Sequence, residues 1–436
     1  MKPIQVGLFG IGTVGSGTFE VLKRNQEEIQ RRAGRPIQIT MVADLDVARA
    51  KLIVGDTIQV VSDARQIIAN PEIDIVVELI GGYGIAKQLV LEAIAAGKHV
   101  VTANKALLAV HGTEIFAAAH NKGVMVAFEA AVAGGIPIIK ALREGLTANR
   151  IQWLAGIING TTNFILSEMR DKGLAFDDVL KQAQALGYAE ADPTFDIEGV
   201  DAAHKATLMS AIAFGVPVQF DKAYVEGITQ LESQDIRYAE QLGYRIKLLG
   251  ISKRTQQGIE LRVHPCLVPA KRLIANVEGA MNAVMVHADA VGTTLYYGKG
   301  AGSEPTASAV IADLVDITRL HTVDPLNRVP HLAFQPDSMS DLPVLPMDQV
   351  VTSYYLRLRV ADQAGVLAKV TGILAMANIS IDAVLQREAG EGESHTDLII
   401  LTHDCPEAKM NQAMAEMQQL STVLAPITRI RKEELN

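Results

Sequence analysis

An acidic segment that ends on a lysine is the part of this sequence best suited to chemistry. Residues 186–205 have the sequence LGYAEADPTFDIEGVDAAHK, and five carboxylates lie between Glu190 and Asp201. Asp201 and Lys205 are four residues apart at the start of the apolar segment 201–214, which predicts a buried helix with both side chains on one face. An i,i+4 salt bridge at the head of a core helix would explain the pair without any function.

The acids before this helix favour a functional interpretation. Pro193 and Gly199 break regular structure, so the preceding carboxylates are expected on an irregular loop around the helix start. Burial lowers the pKa of a lysine ammonium, which suits it to proton transfer. The segment therefore predicts a site that recognises an ammonium-bearing substrate and contains one proton-transfer group, Lys205. The loop acids are Glu190, Asp192, Asp196 and Glu198.

Length, charge and cysteine content limit the class of protein. At 436 residues the chain predicts two or three domains, and its net charge of −9 argues against a nucleic-acid partner. Only two cysteines occur, Cys266 and Cys405, which indicates a reducing compartment rather than a disulfide framework. The N-terminus lacks a secretory pattern, and no apolar run predicts a membrane span. We therefore expect a cytoplasmic protein that binds a small molecule.

The N-terminal region has the pattern of a dinucleotide-binding domain. A strand predicted at 4–9 leads directly into GIGTVG and a helix predicted at 16–32. In this fingerprint the glycines allow a tight turn, admit a pyrophosphate and let helix and strand pack closely. Further strands are predicted at 37–43, 73–79, 99–102 and 124–128. The cofactor-binding candidates in the turn are Gly10, Gly12, Thr13, Val14 and Gly15.

The second predicted strand ends on an acid that bears on the choice of cofactor. Asp44 stands where a carboxylate accepts hydrogen bonds from the adenosine ribose and disfavours a 2′-phosphate. We therefore expect an NAD(P) cofactor with a preference for NAD, although the positive charges of Arg49 and Lys51 favour NADP.

Two later strand ends supply further candidates. Thr102 and Lys105 are expected at the carboxyl edge of the sheet, where open α/β sheets bind ligands. Lys105 is either a solvated residue of the first helical turn or a ligand contact. Glu129 precedes two glycines, and its carboxylate with nearby backbone carbonyls could hold a hard monovalent cation or could serve only as a hydrogen-bonded structural carboxylate.

Four long motifs together resemble the homoserine dehydrogenases. They are VTANKALLA at 101–109, FEAAVAGGIPIIKALREGL at 128–146, GIINGTTNFIL at 156–166 and GYAEADPTFDIEGVDAAHK at 187–205. The match covers roughly residues 1–325 and is specific because several independent motifs coincide. The resemblance implies reversible NAD(P)H-dependent reduction of L-aspartate 4-semialdehyde to L-homoserine, on the route to threonine, methionine and isoleucine.

The resemblance also implies roles for individual residues. It makes Lys205 the proton donor toward the aldehyde oxygen, Asp201 its partner, and Lys105 a second essential lysine near the nicotinamide. The implied substrate contacts are Gly187, Glu190, Asp196 and Asp201. The implied cofactor contacts beyond the glycine turn are Asp44, Thr102, Lys105, Gly187 and, in a late glycine turn, Gly302. Glu129 with the carbonyls of Val132, Gly134 and Ile136 resembles a sodium site.

The C-terminal part predicts a smaller unit of its own. Its predicted order is βαββαβ, with strands at 354–360, 379–387, 396–402 and 425–430 and a turn at 388–393. With DQAGVL at 362–367, this order resembles the ACT family of amino-acid-sensing modules. That resemblance implies allosteric feedback by threonine or a related product; the alternative is a dimerisation module without a ligand.

The whole chain is therefore expected to be an α/β protein with three domains. A Rossmann-like domain at 1–135 is completed by a returning helix near 304–320, and an α+β substrate-binding and dimerisation domain occupies 136–303. A linker at 325–349 leads to the ACT-like domain at 350–432. We expect a homo-oligomer, either a dimer or a tetramer.

Two rival functions remain open from the sequence. One is an aspartate-semialdehyde dehydrogenase, which needs a thiolate. Cys266 lies two residues from His264, so a thiol–imidazole pair is conceivable, but a half-buried cysteine is the favoured explanation. The other is a non-catalytic amino-acid sensor that keeps the nucleotide domain as a redox reporter. Intact Lys205, Asp201 and Lys105 argue against that loss of activity.

Overall fold

The N-terminal third of the chain forms a six-stranded parallel sheet covered by helices. The computed structural model describes residues 2–386 and 394–435. The sheet has the order β3-β2-β1-β4-β5-β6, which is the Rossmann order that the sequence predicts. Its elements are β1 (Ile4–Phe9), α1 (Thr13–Arg24), α2 (Gln26–Ala33), β2 (Ile37–Ala43), α3 (Val47–Val54), β3 (Gln59–Val61), α4 (Arg65–Ala69), β4 (Ile75–Glu78), α5 (Gly84–Ala95), β5 (His99–Thr102), α6 (Lys105–Lys122) and β6 (Val126–Ala127).

The first helix differs from its prediction. The expected single helix at 16–32 is two helices, because Asn25 leaves helical geometry with φ −106° and ψ 19°. The break redirects α2 so that Ile29 and Ala33 stay buried in the core around β1 and β2. The hydrophobic pattern predicted one helix because it indicates which residues are buried, and it does not indicate a change in the direction of the helix axis.

The central part combines helices with long antiparallel strands. Helix α11 lies between the sheet and α6, and fourteen of its fifteen residues are buried, which explains its nearly uniform apolar composition. The elements are α7 (Ile138–Lys140, extended by a π-helical turn at Ala141–Gly145), β7 (Ile151–Ile157), α8 (Gly160–Lys172), α9 (Phe176–Ala185), α10 (Thr194–Ile197), α11 (Val200–Phe214), β8 (Tyr224–Val225), α12 (Ser233–Gln241), β9 (Tyr244–Arg254), β10 (Ile259–Pro269), β11 (Met281–Ala288), β12 (Gly292–Lys299) and α13 (Ser303–Leu320).

Helix α13 returns to the nucleotide domain and packs on α1. A Cβ atom on Gly17 would lie 2.3 Å from Oγ of Ser303, so the two helices approach as closely as a glycine allows. Arg24 and Glu304 form an exposed ion pair at 2.7 Å on the same contact. The chain therefore contributes two distant segments to one face of the nucleotide sheet.

The C-terminal part has the predicted βαββαβ order. Its strands pair in the antiparallel order β17-β13-β15-β14. The predicted strand end at 387 and turn at 388–393 lie outside the described residues. A short strand that the sequence did not indicate, β16, pairs with β13. The elements are β13 (Val351–Ala361), α14 (Val366–Met376), β14 (Ile381–Gln386), β15 (His395–Thr402), β16 (Cys405–Pro406), α15 (Glu407–Gln418) and β17 (Thr428–Lys432).

The central and C-terminal strands join into one sheet. Strand β17 pairs in parallel with β10, through Cys266 with Arg431 and Leu267 with Lys432, and the path runs β12-β11-β7-β9-β10-β17-β13-β15-β14. The segment 325–349 lies against the rest of the molecule, since Nε2 of His331 accepts a hydrogen bond from the backbone N–H of Val126. None of the helices in the described ranges has the length and apolar character that crossing a membrane requires.

Candidate active site

The glycine turn after β1 leaves the start of α1 open. Gly10 has φ +88°, and a Cβ atom on Gly15 would lie 2.2 Å from the carbonyl oxygen of Gly10. Gly12 has no atom within 4 Å of where its Cβ would stand, so the space beside it is free. Thr13 and Val14 form the first turn of α1, whose N–H groups face that space. The turn therefore has the geometry of a pyrophosphate site.

A cleft of about 540 Å³ continues from this turn across the sheet edge. Asp44 lies in its wall, where the carboxylate accepts hydrogen bonds from the backbone N–H groups of Ile11 at 2.8 Å and Asp46 at 2.9 Å. Leu45 is 93% exposed at the mouth, and Arg65 lines the opposite side. The cleft thus offers the carboxylate of Asp44, the carboxylate of Asp63, which accepts a hydrogen bond from the backbone N–H of Arg65 at 2.9 Å, and an apolar surface.

The late glycine turn lies next to α1. Oγ of Ser303 donates a hydrogen bond to the carbonyl oxygen of Thr13 at 2.8 Å. Gly302 precedes it with φ +125°, a conformation that a residue with a side chain rarely adopts. The tertiary structure therefore brings Gly302 beside the first glycine turn, although nearly 290 residues separate them.

A buried glutamate that the sequence analysis did not single out organises the edge near β5. Oε2 of Glu78 accepts a hydrogen bond from the Thr102 hydroxyl at 2.6 Å, and Oε1 accepts from the N–H groups of Ile80 and Gly81. Asn104 caps α6 by accepting from the N–H of Leu107 at 3.1 Å. An acid at the end of an apolar strand was the available signal for Glu78. Glu78 thus holds the shape of the loop that borders the cleft.

The predicted carboxylate and both predicted lysines meet at one point. Nζ of Lys205 lies 2.6 Å from Oδ2 of Asp201 and donates a second hydrogen bond to the carbonyl oxygen of Ile158 at 2.7 Å. Nζ of Lys105, at the start of α6, lies 3.1 Å from Oδ1 of the same carboxylate. Lys205 and Asp201 are buried, whereas the Lys105 side chain is 33% exposed and faces the open side.

Burial and mutual charge perturb the titration of this cluster. Burial alone would raise the pKa of Asp201, but the charges of Lys205 and Lys105 outweigh it and hold the pKa below its ordinary value. Burial lowers the pKa of Lys205, against the opposing effect of Asp201. Burial raises the pKa of Asp196, and the charge of Asp201 adds to the rise. The cluster therefore contains a firmly ionised carboxylate beside an ammonium that gives up its proton more readily than usual.

The acidic loop contributes to this cluster through one residue. The amide of Asn159 links Asp196 to Asp201. Gly187 and Glu190 lie on the exposed part of the loop, and the structure brings neither into contact with the lysines. Asp192 accepts hydrogen bonds from Thr194, and Glu198 from Thr229, so these two acids hold the shape of the loop.

His204 is the nearest imidazole to the cluster and is unsuited to proton transfer there. Its ring is fully buried between the rings of Phe195 and Phe220, at centroid distances of 5.3 and 4.2 Å. Neither ring nitrogen has a hydrogen-bond partner among the described residues. Burial lowers the pKa of His204 to about 4, so the ring is neutral near pH 7. Lys205 is the better-placed group.

Glu129 is buried where the nucleotide domain continues into α7. Its two carboxylate oxygens accept hydrogen bonds from the N–H groups of Ile139 and Lys140, each at 2.8 Å, and its own N–H donates to Asp313 at 2.8 Å. Burial, with the nearby charge of Asp313, raises the pKa of Glu129 to about 7. The carboxylate thus has a structural role at the helix start, and its ionised form lacks a full counter-charge.

The thiol of the rival enzyme's thiol–imidazole pair packs in a different apolar cluster from helix α11. Cys266 and His264 are both fully buried on β10, and Sγ is 3.2 Å from Nδ1. Burial raises the pKa of Cys266 well above its ordinary value and lowers that of His264 well below. Both groups are therefore neutral, and neither Cys266 nor His264 is among the residues that line the nucleotide cleft. The thiolate mechanism is not supported.

Charged side chains fasten the C-terminal module to the central part. Arg431 is fully buried and donates to Glu407 at 2.5 and 3.0 Å and to Glu226 at 2.8 Å. Arg357 of β13 pairs with the buried Asp235 of α12 at 2.6 Å. The predicted sensing turn lies away from this contact: Gly365 has φ +90° and begins α14.

Comparison with known proteins assigns each part of the chain. Residues 10–129 match the family described as "Homoserine dehydrogenase, NAD binding domain", residues 137–315 match "Homoserine dehydrogenase", and residues 354–422 match "ACT domain". These matches confirm the α/β architecture, the NAD-binding domain and the ACT domain that the sequence predicts.

Full-length relatives agree with these matches. The homoserine dehydrogenase of Pseudomonas aeruginosa is 62% identical over 436 residues, and that of Neisseria gonorrhoeae is 57% identical over 436 residues; both alignments cover 100% of this chain and 100% of the relative. The crystal structure of a homoserine dehydrogenase from Thiobacillus denitrificans superposes with a TM-score of 0.96 at 65% identity, covering 100% of this chain and 99% of the other. The chain belongs to the homoserine dehydrogenase family.

Proposed function

We propose that this chain catalyses the reversible NAD(P)H-dependent reduction of L-aspartate 4-semialdehyde to L-homoserine, with Lys205 as the proton donor and acceptor. The observation that carries the proposal is the Asp201 carboxylate placed between the ammonium groups of Lys205 and Lys105. Reduction of an aldehyde needs a hydride, which the bound nicotinamide supplies, and one group that protonates the developing alkoxide. The cluster provides that group.

The lysine pair has two tasks in this mechanism. The positive charge of Lys205 stabilises the developing alkoxide, and its ammonium then transfers a proton to that oxygen. Asp201 stays ionised and holds the Lys205 amine in place through the 2.6 Å contact. Lys105 comes from the nucleotide domain and orients the substrate beside the nicotinamide, since its side chain faces the open side of the cluster. In the oxidative direction, neutral Lys205 accepts the hydroxyl proton.

The acidic loop suits the ammonium group of the amino-acid substrate. Asp196 is the loop acid nearest the cluster, and Asp201 lies beside it through the shared amide of Asn159. We assign Glu190 to the substrate amino group as well, on an exposed loop that can move toward the bound substrate. Gly187, with φ +76°, lines the contact between nicotinamide and substrate.

The cofactor is assigned to the cleft at the sheet edge. Its pyrophosphate lies on the turn formed by Gly10, Gly12, Thr13, Val14 and Gly15. Asp44 accepts hydrogen bonds from the ribose hydroxyls, while Thr102 and Gly302 border the nicotinamide end. Since Asp44 already carries two backbone hydrogen bonds that fix its carboxylate in the cleft wall, we propose a preference for NAD over NADP. Comparable turnover with both cofactors, or a clear NADP preference, would refute the preference.

A sodium ion is assigned to the hinge at Glu129. The carbonyls of Val132, Gly134 and Ile136 lie on the same short stretch, and hard oxygen ligands suit such a cation. The residues fit the ion because a buried carboxylate with a raised pKa gains from a nearby positive charge. The role of the ion is structural.

We assign the ACT domain to feedback inhibition by threonine. We also propose that the protein is cytoplasmic and forms a homo-oligomer, either a dimer or a tetramer. The turn at 362–367, ahead of α14, supports amino-acid binding through its resemblance to that family. Absence of inhibition by threonine, serine, methionine and isoleucine would remove the sensing role for these ligands. Light scattering of the purified protein measures the oligomeric state.

The central test measures homoserine oxidation by NAD(P)H absorbance in three variants. Lys205→Met removes the amine and is expected to lower kcat by at least a hundredfold, in line with the loss of a positioned acid or base. Lys205→Arg keeps the positive charge, but a guanidinium group does not give up a proton near pH 7, so this variant is expected to be inactive as well. The matched control is Lys181→Met on exposed α9, which should keep wild-type rates. Wild-type turnover by Lys205→Met would refute the assignment.

A further inference from the structure

Asn159 lies at the turn between β7 and α8 with its amide at the centre of the acidic cluster. The residue is 5% exposed. Its Nδ2 donates hydrogen bonds to Oδ1 of Asp196 at 2.7 Å and to Oδ2 of Asp201 at 2.8 Å. Its Oδ1 accepts from the N–H of Thr162 at 2.8 Å and from the Thr162 hydroxyl at 3.0 Å. Both N–H donors of the amide are thus engaged, and the backbone N–H of Thr162 determines which amide atom faces the acids.

The amide separates two carboxylates that would otherwise interact unfavourably. Asp201 is held ionised by the two lysines, whereas Asp196 lies on α10 with no lysine in hydrogen-bond contact. Burial and the charge of Asp201 raise the pKa of Asp196, whereas the hydrogen bond from Asn159 and the charges of Lys205 and Lys105 oppose that rise. Two neighbouring carboxylates without a donor between them tend to share one proton.

The two hydrogen bonds also connect separate parts of the chain. Asp196 belongs to the loop assigned to the substrate ammonium, and Asp201 belongs to the helix that carries Lys205. Gly199, with φ +82°, lies between them, and its N–H donates a hydrogen bond to the carbonyl oxygen of Asp196 at 3.0 Å. Asn159 is anchored by capping α8 and therefore fixes both acids against the central sheet.

We propose that Asn159 is a positioning residue that holds Asp196 and Asp201 apart and both charged, so that one carboxylate receives the substrate ammonium while the other supports Lys205. The inference rests on the roles proposed above for Asp196 and Lys205. It adds a residue that touches neither the proton in transfer nor the hydride. Its loss is expected to weaken substrate binding near and below neutral pH more than it slows chemistry.

The test compares Asn159→Ser, Asn159→Asp and Asn159→Ala in the reduction of L-aspartate 4-semialdehyde across pH, because this direction uses charged Lys205 and leaves the acidic limb to the carboxylates. Serine and aspartate keep an N-cap on α8, yet neither can donate to both acids, whereas alanine loses the cap as well. Without the amide, Asp196 holds its proton to higher pH, so the acidic limb of kcat/KM should move up by about one pH unit in all three variants. At pH 6.5, KM for L-aspartate 4-semialdehyde should rise about tenfold, with kcat reduced less.

Two outcomes would overturn the inference. One is a wild-type pH profile and KM in Asn159→Ser. The other is a shift seen only in Asn159→Ala together with a lower Tm, because that result assigns the residue to helix capping alone. The roles proposed for Lys205 are tested separately: Lys205→Met loses kcat at every pH, whereas Asn159→Ser keeps most of kcat and moves the acidic limb.

Discussion

Replacing Asp201 with asparagine tests the electrostatics of the site most directly. Asparagine has nearly the same shape, and its amide oxygen can still accept the hydrogen bonds from Lys205 and Asn159. The substitution removes the charge and places an NH2 group where an oxygen faces Lys105. In the wild type, the carboxylate oxygens lie 2.6 Å from Nζ of Lys205 and 3.1 Å from Nζ of Lys105. Both ammonium groups therefore lose their counter-charge in one step.

The size of the effect follows from the charge interaction. Opposite unit charges about 4 Å apart attract by about 4 kcal/mol at an effective dielectric constant of about 20. One pKa unit corresponds to about 1.4 kcal/mol, so Asp201→Asn is expected to lower the pKa of Lys205 by about 2 to 3 units. Burial already lowers that pKa, and the substitution adds to the same direction.

The pH dependence of aldehyde reduction provides the assay. Reduction needs charged Lys205, so the alkaline limb of kcat should move down by about two pH units in Asp201→Asn. The maximal rate should fall at least about tenfold, because the amine also loses its anchor. The control is Asp192→Asn, an exposed loop acid that contacts only Thr194 in the described structure and should leave the limb in place. An unmoved alkaline limb in Asp201→Asn would refute the reasoning.

Two further predictions concern stability. The pKa of Glu129 is raised from 4.5 to about 7 in the folded protein, so ionisation of this carboxyl destabilises the folded state as pH rises through this range, by at most about 3 kcal/mol. Sodium chloride should therefore raise Tm more at pH 8 than at pH 6, when choline chloride at the same concentration serves as the control. The variant Glu129→Gln should abolish this difference between the two pH values. Arg431→Met leaves buried Glu407 with the Tyr354 hydroxyl and with Arg429 as its remaining positive charge, so urea unfolding should show a loss of about 3 kcal/mol, partly recovered by adding Glu407→Gln. An unchanged free energy of unfolding would contradict the role of this network.

Much of the fold could be predicted because the signals are local. The glycine turn needs its three glycines within one strand–turn–helix unit, where a Cβ atom on Gly15 would meet the backbone of Gly10. The pairing of Asp201 with Lys205 follows from helical spacing alone. The same local pattern missed the break at Asn25 and the short strand β16, since neither changes which neighbouring residues are apolar.

The remaining features of the site depend on contacts between distant segments. Lys105 contacts Asp201 because α6 packs against α11. The spacing of the two residues along the chain does not predict that contact. Asn159 belongs to the motif GIINGTTNFIL at 156–166, but the sequence did not indicate a role for it. The two carboxylates that accept its hydrogen bonds lie 37 and 42 residues further along the chain. The proximity of Cys266 to His264 in sequence suggested a reactive pair, and burial on β10 makes both neutral.

Local sequence patterns were enough to predict the nucleotide-binding turn, the helix that carries Asp201 and Lys205, and the order of the C-terminal elements, because hydrophobic periodicity and turn residues act over a few positions. Three features emerged from packing between distant segments: one carboxylate contacts two lysines, one amide binds two acids, and the central and C-terminal strands share a sheet through Cys266 and Arg431. The physical reason is that charge interactions and hydrogen bonds depend on distance in space, and side chains far apart in sequence meet only after the core has packed.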